Sequence, residues 1–384
     1  MLKNYSFYIL LIVISISACQ SKKTASQEEI IQEATATISQ SDFGTVDDQA
    51  VFLYTLTNTE GIEMKVTNYG GIITALSIPD REGKFEDVVL GYDSLQGYLD
   101  SSPYFGALIG RYGNRIAGGK FTLDNVEYSL ETNNGQNALH GGVQGFDKRV
   151  WNAEGYTTTD GAGLKMTRLS PDGEEGYPGN LSCEVTYFLG NDNTLTFEYK
   201  ATTDKKTIVN LTNHAYYNFT GMNEDILGHE LVIKADKYLP VDQTLIPLGI
   251  EPVTDTPFDF TTGKTIGQNI SDKHDQIAAG GGYDHCWAIN ETEEELAFAA
   301  SLYEPKSGRF MEIFTSEPGI QFYSGNFLNG TITGKNDIQY SHRMGLCLET
   351  QHHPDSPNQP DFQSVVLSPG EEYFSVTKTK FSVK

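Results

Sequence analysis

The chain has 384 residues, of which 38% are hydrophobic and 11% aromatic, so it can bury a large core and is not a disordered segment. Acidic residues outnumber basic ones by 51 to 27, which gives a net charge of −24. This charge argues against a surface for nucleic acid or anionic lipid, because phosphate groups would be repelled. The 38 glycines, 21 tyrosines and 20 phenylalanines favour strands joined by tight turns over long helices.

The amino terminus has the features of a secretory signal. Lys3 precedes an apolar run from Tyr5 to Ile16, and the run ends in Ile-Ser-Ala-Cys at 16–19, which resembles a bacterial lipobox. The run is shorter than the roughly 20 apolar residues of a membrane span. We therefore expect a signal peptide over 1–18 and a lipidated Cys19, with the protein anchored in the bacterial cell envelope on the periplasmic or surface side. The alternatives are a transmembrane anchor, or an ordinary signal sequence with an incidental cysteine.

The segment 19–47 is rich in Ser, Gln, Thr, Glu and Lys and is predicted to be a flexible tether, so that the folded domain occupies 48–384. Without Cys19 an odd number of cysteines remains, which cannot form a complete disulfide framework, and no C-x-x-C spacing indicates zinc. These three are predicted to be buried free thiols: Cys183, Cys286 and Cys347.

Alternation of apolar and polar residues dominates the remainder of the chain. It is evident at 185–189, 195–200 and 296–302, and glycine-rich turns separate such runs. No convincing amphipathic helix, repeat or composition break is found. The pattern predicts an all-β fold, one large antiparallel β-sandwich.

Three of the predicted strands carry unusual polar faces. The strand at 208–214 presents Asn, Thr and His on one side, the strand at 346–351 presents Glu and Gln, and the strand at 320–323 presents Gln and Tyr. Neutral hydrogen-bonding groups with aromatics suit a sugar-binding cleft. The alternative is an ordinary solvated outer face.

Two histidines and two carboxylates are candidates for chemistry: His140, His214, Asp284 and Glu349. Together they could form a general acid–base site or ligate a metal. Individually each could be structural, as a hydrogen-bonded histidine or a turn-capping aspartate. Their wide separation in the sequence carries no spacing signal that decides between these possibilities.

Several runs in order along 50–384 resemble the aldose 1-epimerase (galactose mutarotase) family. They are Ile-Gly-Arg-Tyr-Gly-Asn-Arg-Ile at 109–116, Asn-Ala-Leu-His-Gly-Gly at 137–142, Asp-Gly-Glu-Glu-Gly-Tyr-Pro-Gly at 172–179, Val-Asn-Leu-Thr-Asn-His at 209–214, Tyr-Leu-Pro-Val-Asp at 238–242, Pro-Phe-Asp-Phe at 257–260, Gly-Tyr-Asp-His at 282–285, Pro-Gly-Ile-Gln-Phe-Tyr-Ser-Gly-Asn at 318–326 and Leu-Glu-Thr-Gln-His at 348–352. The resemblance implies the family's large β-sandwich, a free sugar as substrate, and no metal or organic cofactor.

The resemblance also implies a role for each matching residue. His214 matches the general acid that protonates the ring oxygen, and Glu349 matches the general base that takes the proton from the C1 hydroxyl. The residues implied to bind substrate are Asn114, Arg115, His140, Asp284 and Gln321. The sequence departs from the family pattern at four positions near these motifs, which could alter substrate preference but remove no catalytic group: Ala215, Tyr217, Cys286 and His353.

The expected function is interconversion of the α and β anomers of free hexoses such as glucose and galactose. Asp284 and Glu349 could instead form the carboxylate pair of a glycosidase. A carbohydrate-binding lipoprotein is another alternative, although it would not need both His214 and Glu349. A sugar-phosphate mutarotase or a metal enzyme are further ones. We expect a small sugar as the partner, no nucleic acid, and membrane association through the lipid anchor only.

Overall fold

Antiparallel strands account for nearly all regular structure in this computed structural model, which describes Met1 and residues 35–384. The strands in the first part are β1 (Thr37–Val46), β2 (Gln49–Thr57), β3 (Glu63–Thr67), β4 (Ile72–Pro79), β5 (Phe85–Asp87), β6 (Ala107–Ile109), β7 (Arg115–Ile116), β8 (Lys120–Leu123), β9 (Val126–Ser129) and β10 (Ala138–Leu139). In the middle lie β11 (Asn152–Thr158), β12 (Gly161–Ser170), β13 (Leu181–Gly190), β14 (Thr194–Thr203), β15 (Thr207–Ile208), β16 (Thr212–His214), β17 (Glu230–Ile233), β18 (Lys237–Leu239), β19 (Glu251–Pro252) and β20 (Lys264–Thr265). The last are β21 (Asp284–Ala288), β22 (Ala297–Tyr303), β23 (Arg309–Thr315), β24 (Gly319–Tyr323), β25 (Ile332–Thr333), β26 (Gln339–Tyr340), β27 (Cys347–Gln351), β28 (Val366–Leu367) and β29 (Tyr373–Val383).

Helical structure in the described residues is short. The α-helices α1 (Leu95–Asp100) and α2 (Asp275–Gly280) have six residues each. Single 3-10 turns cover Ala117–Gly119, Phe146–Lys148, Glu174–Gly176, Ile226–Gly228, Ile266–Gln268, Lys335–Asp337 and Ser356–Asn358. Within the described part of the chain, no helix is long and apolar enough to cross a membrane.

A nine-stranded sheet in the order β11-β12-β13-β14-β29-β23-β22-β17-β20 is the largest element. Its strands β13 and β14 follow the predicted alternation, with Val185 and Phe197 buried and Glu184 and Lys200 partly exposed. The alternation predicted over 296–302 is interrupted in β22 by a bulge, which shifts the register between its second and fourth residues.

A five-stranded sheet, β1 to β5 in sequence order, contains a correction to the predicted domain boundary. The tether was predicted to extend through residue 47, but residues 37–46 form β1 and pair with β2, so the folded unit begins at Thr35. β1 is an edge strand, most of it is exposed, and a bulge between Asp42 and Gly44 breaks its alternation. The signal peptide, Cys19 and the tether up to residue 34 lie outside the described residues.

The second five-stranded sheet, in the order β19-β18-β21-β24-β27, positions the candidate site. One face of β21, β24 and β27 contributes apolar side chains such as Trp287, Phe322 and Leu348 to a core that also contains residues from the other two large sheets. The opposite face carries Asp284 and Glu349. This arrangement of antiparallel sheets around a shared core confirms the predicted β-sandwich class. The three cysteines predicted to be buried free thiols are so in the structure.

Candidate active site

A cavity of about 170 Å³ opens beside the polar face of the second five-stranded sheet. Six of the seven residues predicted for the site line it: Asn114, Arg115, His140, His214, Asp284 and Glu349. Gln321, the seventh, does not line the cavity but donates from Nε2 to Oδ1 of Asp284 at 2.8 Å. The structure therefore gathers all seven residues in one place.

The acidic residues are aligned by the register of three neighbouring strands. In β24, Gln321 lies opposite Glu349 of β27, and Tyr323 lies opposite Asp284 of β21. Residues directly opposite in an antiparallel pair project from the same face. The carboxyl groups of Asp284 and Glu349 consequently point to the same side of the sheet, and their partners on β24 are two residues apart.

His214 meets this face from a separate strand. It ends β16, where it pairs with Ala107 of β6. Its Nε2 lies 3.6 Å from Oε1 of Glu349, and its Nδ1 lies 3.4 Å from Sγ of Cys347. Cys347 and Glu349 are alternate residues of β27, so one strand face contacts both nitrogens of the imidazole ring. His214 is 5% exposed, and the contacts on both ring nitrogens fix the orientation of the ring.

His140 is positioned by a turn that follows the pairing of β7 with β10. Its backbone N–H donates to the carbonyl of Asn114 at 3.0 Å, and the N–H of Asn114 donates to Nδ1 of His140 at 3.1 Å. Because Nδ1 is an acceptor, the neutral imidazole carries its proton on Nε2. Gly141 follows with φ +88°, and a Cβ there would lie 1.8 Å from the carbonyl oxygen of Gly110, so only glycine fits.

A buried ion pair holds the carboxylate of Asp284. Nη2 of Arg115 lies 3.9 Å from its Oδ2, and the Nε of the same guanidinium donates to Oδ1 of Asn134 at 3.1 Å. Arg115 is 7% exposed and therefore available only to a ligand inside the cavity. Arginine and a carboxylate side by side offer donors and acceptors for sugar hydroxyls.

Burial disfavours charge on the two carboxyl groups and the two histidines of the site. It raises the pKa of Glu349 well above its ordinary value, with the charge of Asp284 adding to the effect and Arg115 opposing it. It lowers the pKa of His214 to about 4 and that of His140 well below 6.5. Burial also raises the pKa of Asp284, although the charge of Arg115 and the hydrogen bond from Gln321 act to lower it. Strongly shifted pKa values in one cavity are typical of catalytic sites.

Three buried acceptor or hydroxyl atoms near the cavity find no hydrogen-bond partner among the described residues. They are Oε2 of Glu349, Oε1 of Gln321 and Oγ1 of Thr212. Unpaired buried polar atoms are costly, and in native structures each has a reason. A hydroxyl group of a ligand in the cavity would satisfy the carboxylate oxygen of Glu349, which lines the cavity.

The two histidines and Glu349 could also offer ligands to a metal ion. One ligand atom from each of His140, His214 and Glu349 lies within 4.8 Å of the other two. Imidazole and carboxylate are ordinary ligands for divalent metals. A metal bound there would occupy His214 and Glu349, the two side chains placed for proton transfer, and an experiment with a chelator distinguishes the two functions.

Aromatic residues form part of the wall of the cavity, and none of them is among the site residues predicted from the sequence. Tyr104 packs edge-on against His140 at 4.6 Å between centroids, and Tyr216 stacks on His214 at 5.0 Å. Tyr323 and Phe327 are the other aromatic residues in the lining. Alternation placed Tyr323 on the polar face beside Gln321, which was a usable signal. Nothing in the sequence distinguishes the other three from core aromatics.

Comparison with known proteins identifies the family. The family model described as "Aldose 1-epimerase" matches residues 53–380. Among curated proteins, galactose mutarotase of Homo sapiens is 47% identical over 324 residues, covering 84% of this chain and 92% of its own length. Aldose 1-epimerase of Escherichia coli (strain K12) is 38% identical over 338 residues, covering 87% of this chain and 96% of its own length.

Solved structures of similar proteins have the same fold over most of this chain. Galactose 1-epimerase from Lactobacillus acidophilus NCFM superposes with a TM-score of 0.80 at 30% identity, covering 91% of this chain and 99% of that one. A GalM/aldose epimerase homologue from C. elegans superposes with a TM-score of 0.79 at 29% identity, covering 86% of this chain and 98% of that one. The sequence match over most of the chain, the superposition and the buried histidine–glutamate cavity lead to one conclusion: this chain is an isomerase that belongs to the aldose 1-epimerase family.

Proposed function

We propose that the chain interconverts the α and β anomers of free hexoses such as glucose and galactose, with His214 as general acid and Glu349 as general base. The observation that carries the proposal is the buried pair itself. Nε2 of His214 and Oε1 of Glu349 face each other at 3.6 Å inside a cavity of about 170 Å³. Pockets for drug-sized ligands are roughly 300–1,000 Å³, so this one suits a single sugar ring.

The chemistry of ring opening matches an acid and a base placed side by side. The bond between C1 and the ring oxygen O5 breaks, O1 loses a proton and O5 gains one. The C1 carbon becomes an aldehyde, which turns about the C1–C2 bond and is attacked by O5 on its other face. Closure returns both protons along the same routes. Each properly placed proton-transfer group contributes about 10²–10⁴-fold to the rate.

The pair needs one proton between its two members. In the reactive form, Glu349 is the carboxylate that accepts the O1 proton and His214 is the imidazolium that donates from Nε2 to O5. Burial resists both charges, as the raised pKa of Glu349 and the lowered pKa of His214 indicate. Since the charges are opposite and adjacent, each offsets the cost of the other. Their apparent pKa values consequently belong to the pair and not to either residue.

The other residues bind and orient the sugar in this proposal. His140 stays neutral because burial, His214 and Arg115 all lower its pKa, and its Nε2–H is available to donate to a sugar oxygen. Arg115 and Asp284 bind hydroxyl groups, and Gln321 holds the carboxylate of Asp284 in place. A neutral sugar is not repelled by these carboxylates, so the acidic net charge is compatible with the substrate.

Polarimetry on freshly dissolved α-glucose tests the function. We expect optical rotation to decay to its equilibrium value faster than the spontaneous reaction, in proportion to protein concentration and unchanged by a chelator. A chromogenic glycoside should release no product. Decay at the spontaneous rate, with folding confirmed, would overturn the proposal. Decay abolished by a chelator and restored by a divalent metal would replace the proton-transfer assignment with a metal site.

We also propose that the protein is a lipoprotein of the bacterial cell envelope. The support is the short apolar run that ends in Ile-Ser-Ala-Cys at 16–19, followed by a polar segment before the folded domain. Lipid attached to Cys19 would anchor the domain without a membrane span. The sugar substrate would then be met outside the cytoplasm.

A further inference from the structure

A groove of about 830 Å³ lies at the other end of the sheet that carries the catalytic cavity. Tyr323, the last residue of β24, lines the catalytic cavity, whereas Pro318, the residue before β24, lines the groove. On the neighbouring strand, Glu349 of β27 lines the cavity, and His353, two residues beyond β27, lines the groove. None of the described residues lines both, so the groove is separate from the catalytic cavity.

His353 brings a buried histidine to the groove. It is 7% exposed, and neither nitrogen of its ring has a hydrogen-bond partner among the described residues. The ring lies over Gly319, where an added Cβ would be 2.9 Å from its Cδ2, and Phe362 packs edge-on against it at 5.1 Å between centroids. Burial lowers the pKa of His353 to about 4, so the neutral ring offers one donor and one acceptor. Buried polar atoms left unpaired are costly, and a ligand in the groove would give them a reason.

Glu317 brings a fixed carboxylate to the same groove. It is 4% exposed and precedes the first residue of β24 by two positions. Its Oε2 lies 2.6 Å from Nδ1 of His352, and its Oε1 accepts from the hydroxyl of Tyr373 at 3.2 Å. These contacts hold the group in one orientation, and each oxygen keeps a further lone pair for a donor on a ligand.

The rest of the lining narrows the class of ligand. Asn290 and Gln363 add amides, and Ile289 and Pro318 add apolar surface. Amides, a carboxylate and a neutral imidazole beside apolar surface suit a molecule that has both hydroxyls and C–H groups. Phosphates and other anions would be repelled by three acidic residues of the lining: Glu291, Glu294 and Glu295.

A metal ion fits the groove less well than a sugar. In the described part of the chain, the one cluster of three ligand side chains within reach of each other is that of the catalytic cavity. The volume of about 830 Å³ is within the roughly 300–1,000 Å³ of small-molecule pockets. We propose that the groove is a second sugar-binding site, which takes a neutral hexose through His353 and Glu317.

This inference rests on the proposed function for the identity of its ligand, because the groove is assigned the same class of molecule as the substrate. No bond is made or broken in the groove. Binding there and turnover in the catalytic cavity are measured separately, by counting bound sugar and by polarimetry.

The test is equilibrium dialysis of the protein against radiolabelled glucose and galactose at anomeric equilibrium. The wild-type protein should bind two molecules per chain. His353→Phe keeps a ring of similar size and should weaken the second site at least about tenfold, with kcat/KM for α-glucose within about twofold. Gln363→Ala, at an exposed position that cannot disturb the core, should weaken it about two- to tenfold. His342→Phe is the matched control, since His342 is exposed and does not line the groove.

Three results would overturn the second site. A wild-type protein that binds one hexose per chain has no such site. Two bound molecules that persist unchanged in both His353→Phe and Gln363→Ala would place the second sugar elsewhere. A fall in kcat/KM for His353→Phe as large as its loss of binding would make His353 part of the catalytic cavity. Failure of the proposed function is a different result, a wild-type protein that does not accelerate mutarotation.

Discussion

Replacement of Asp284 by asparagine separates sugar binding from proton transfer. The side chain is 92% buried, accepts from Gln321 at 2.8 Å and faces Arg115 at 3.9 Å. Asparagine keeps the size and can still accept from Gln321, so the local structure should persist. What is lost is a charged acceptor for a sugar hydroxyl. A hydrogen bond to a charged group is worth about 1.5–3 kcal/mol, which corresponds to an increase in KM of about 10- to 150-fold.

The effect of Asp284→Asn on kcat should be much smaller, within about threefold. If the contact is equally strong in the ground state and the transition state, its removal raises KM alone. The assay is the initial polarimetric rate over a range of α-glucose concentrations, corrected for the spontaneous reaction. Asp124→Asn is the control, because it makes the same charge change in a surface ion pair with Lys206. A collapse of kcat at unchanged KM would place Asp284 in the proton-transfer machinery and contradict its role in sugar binding.

Three other predictions concern pH, the turn beside His140 and the membrane. The pair of His214 and Glu349 is active when it holds one proton. In a series of polarimetric rates against pH, kcat/KM should therefore fall below about pH 4, where the pair gains a second proton on His214, and again at the alkaline pH where it loses its last proton. Because the charge of Asp284 raises the pKa of Glu349, Asp284→Asn should move the alkaline limb to lower pH. Gly141→Ala should lower the free energy of unfolding in urea by about 2 kcal/mol or more, because the added Cβ would lie 1.8 Å from the carbonyl oxygen of Gly110. The control Gly173→Ala has a similar φ of +83° but no heavy atom within 4 Å of the added Cβ, so it should cost only about 1 kcal/mol. Equal losses in the two variants would contradict the predicted clash with Gly110. Cys19→Ser should move the protein from the membrane fraction to the soluble fraction, and continued sedimentation with membranes would contradict the lipid anchor.

Alternation in the sequence was informative where a strand has one face in the core. In β13 and β14 the apolar positions are buried and the polar ones are partly exposed, so the period of two was visible. The same reasoning found the polar face of β27, because Leu348 packs in the core and Glu349 does not. β1 was missed because it is an exposed edge strand with a bulge, and neither feature leaves an alternating pattern.

The assembly of the site could not be derived from local pattern. His214 reaches Glu349 because β16 packs beside β27, and contact between strands so far apart in the chain leaves no spacing signal in the sequence. His140 lies on a turn with φ +51°, outside any alternating run. For both residues the resemblance to a family supplied the assignment that the physical pattern could not. Phe327 was missed because exposure of an aromatic residue is visible only in the folded chain.

The most direct test of the account is the mutarotation rate of Glu349→Gln, His214→Asn and the double variant. Each substitution keeps size and some hydrogen bonding but removes the group that transfers the proton. We expect each single variant to lose at least about 100-fold of the enzymatic rate on α-glucose, with sugar binding retained in calorimetry, and the double variant to be little slower than the slower single one. Glu184→Gln is the control, because Glu184 lies in an exposed ion pair with Lys165 on the nine-stranded sheet. A near-normal rate in either folded single variant would contradict the assignment of that residue, and additive losses in the double variant would contradict their action as one pair.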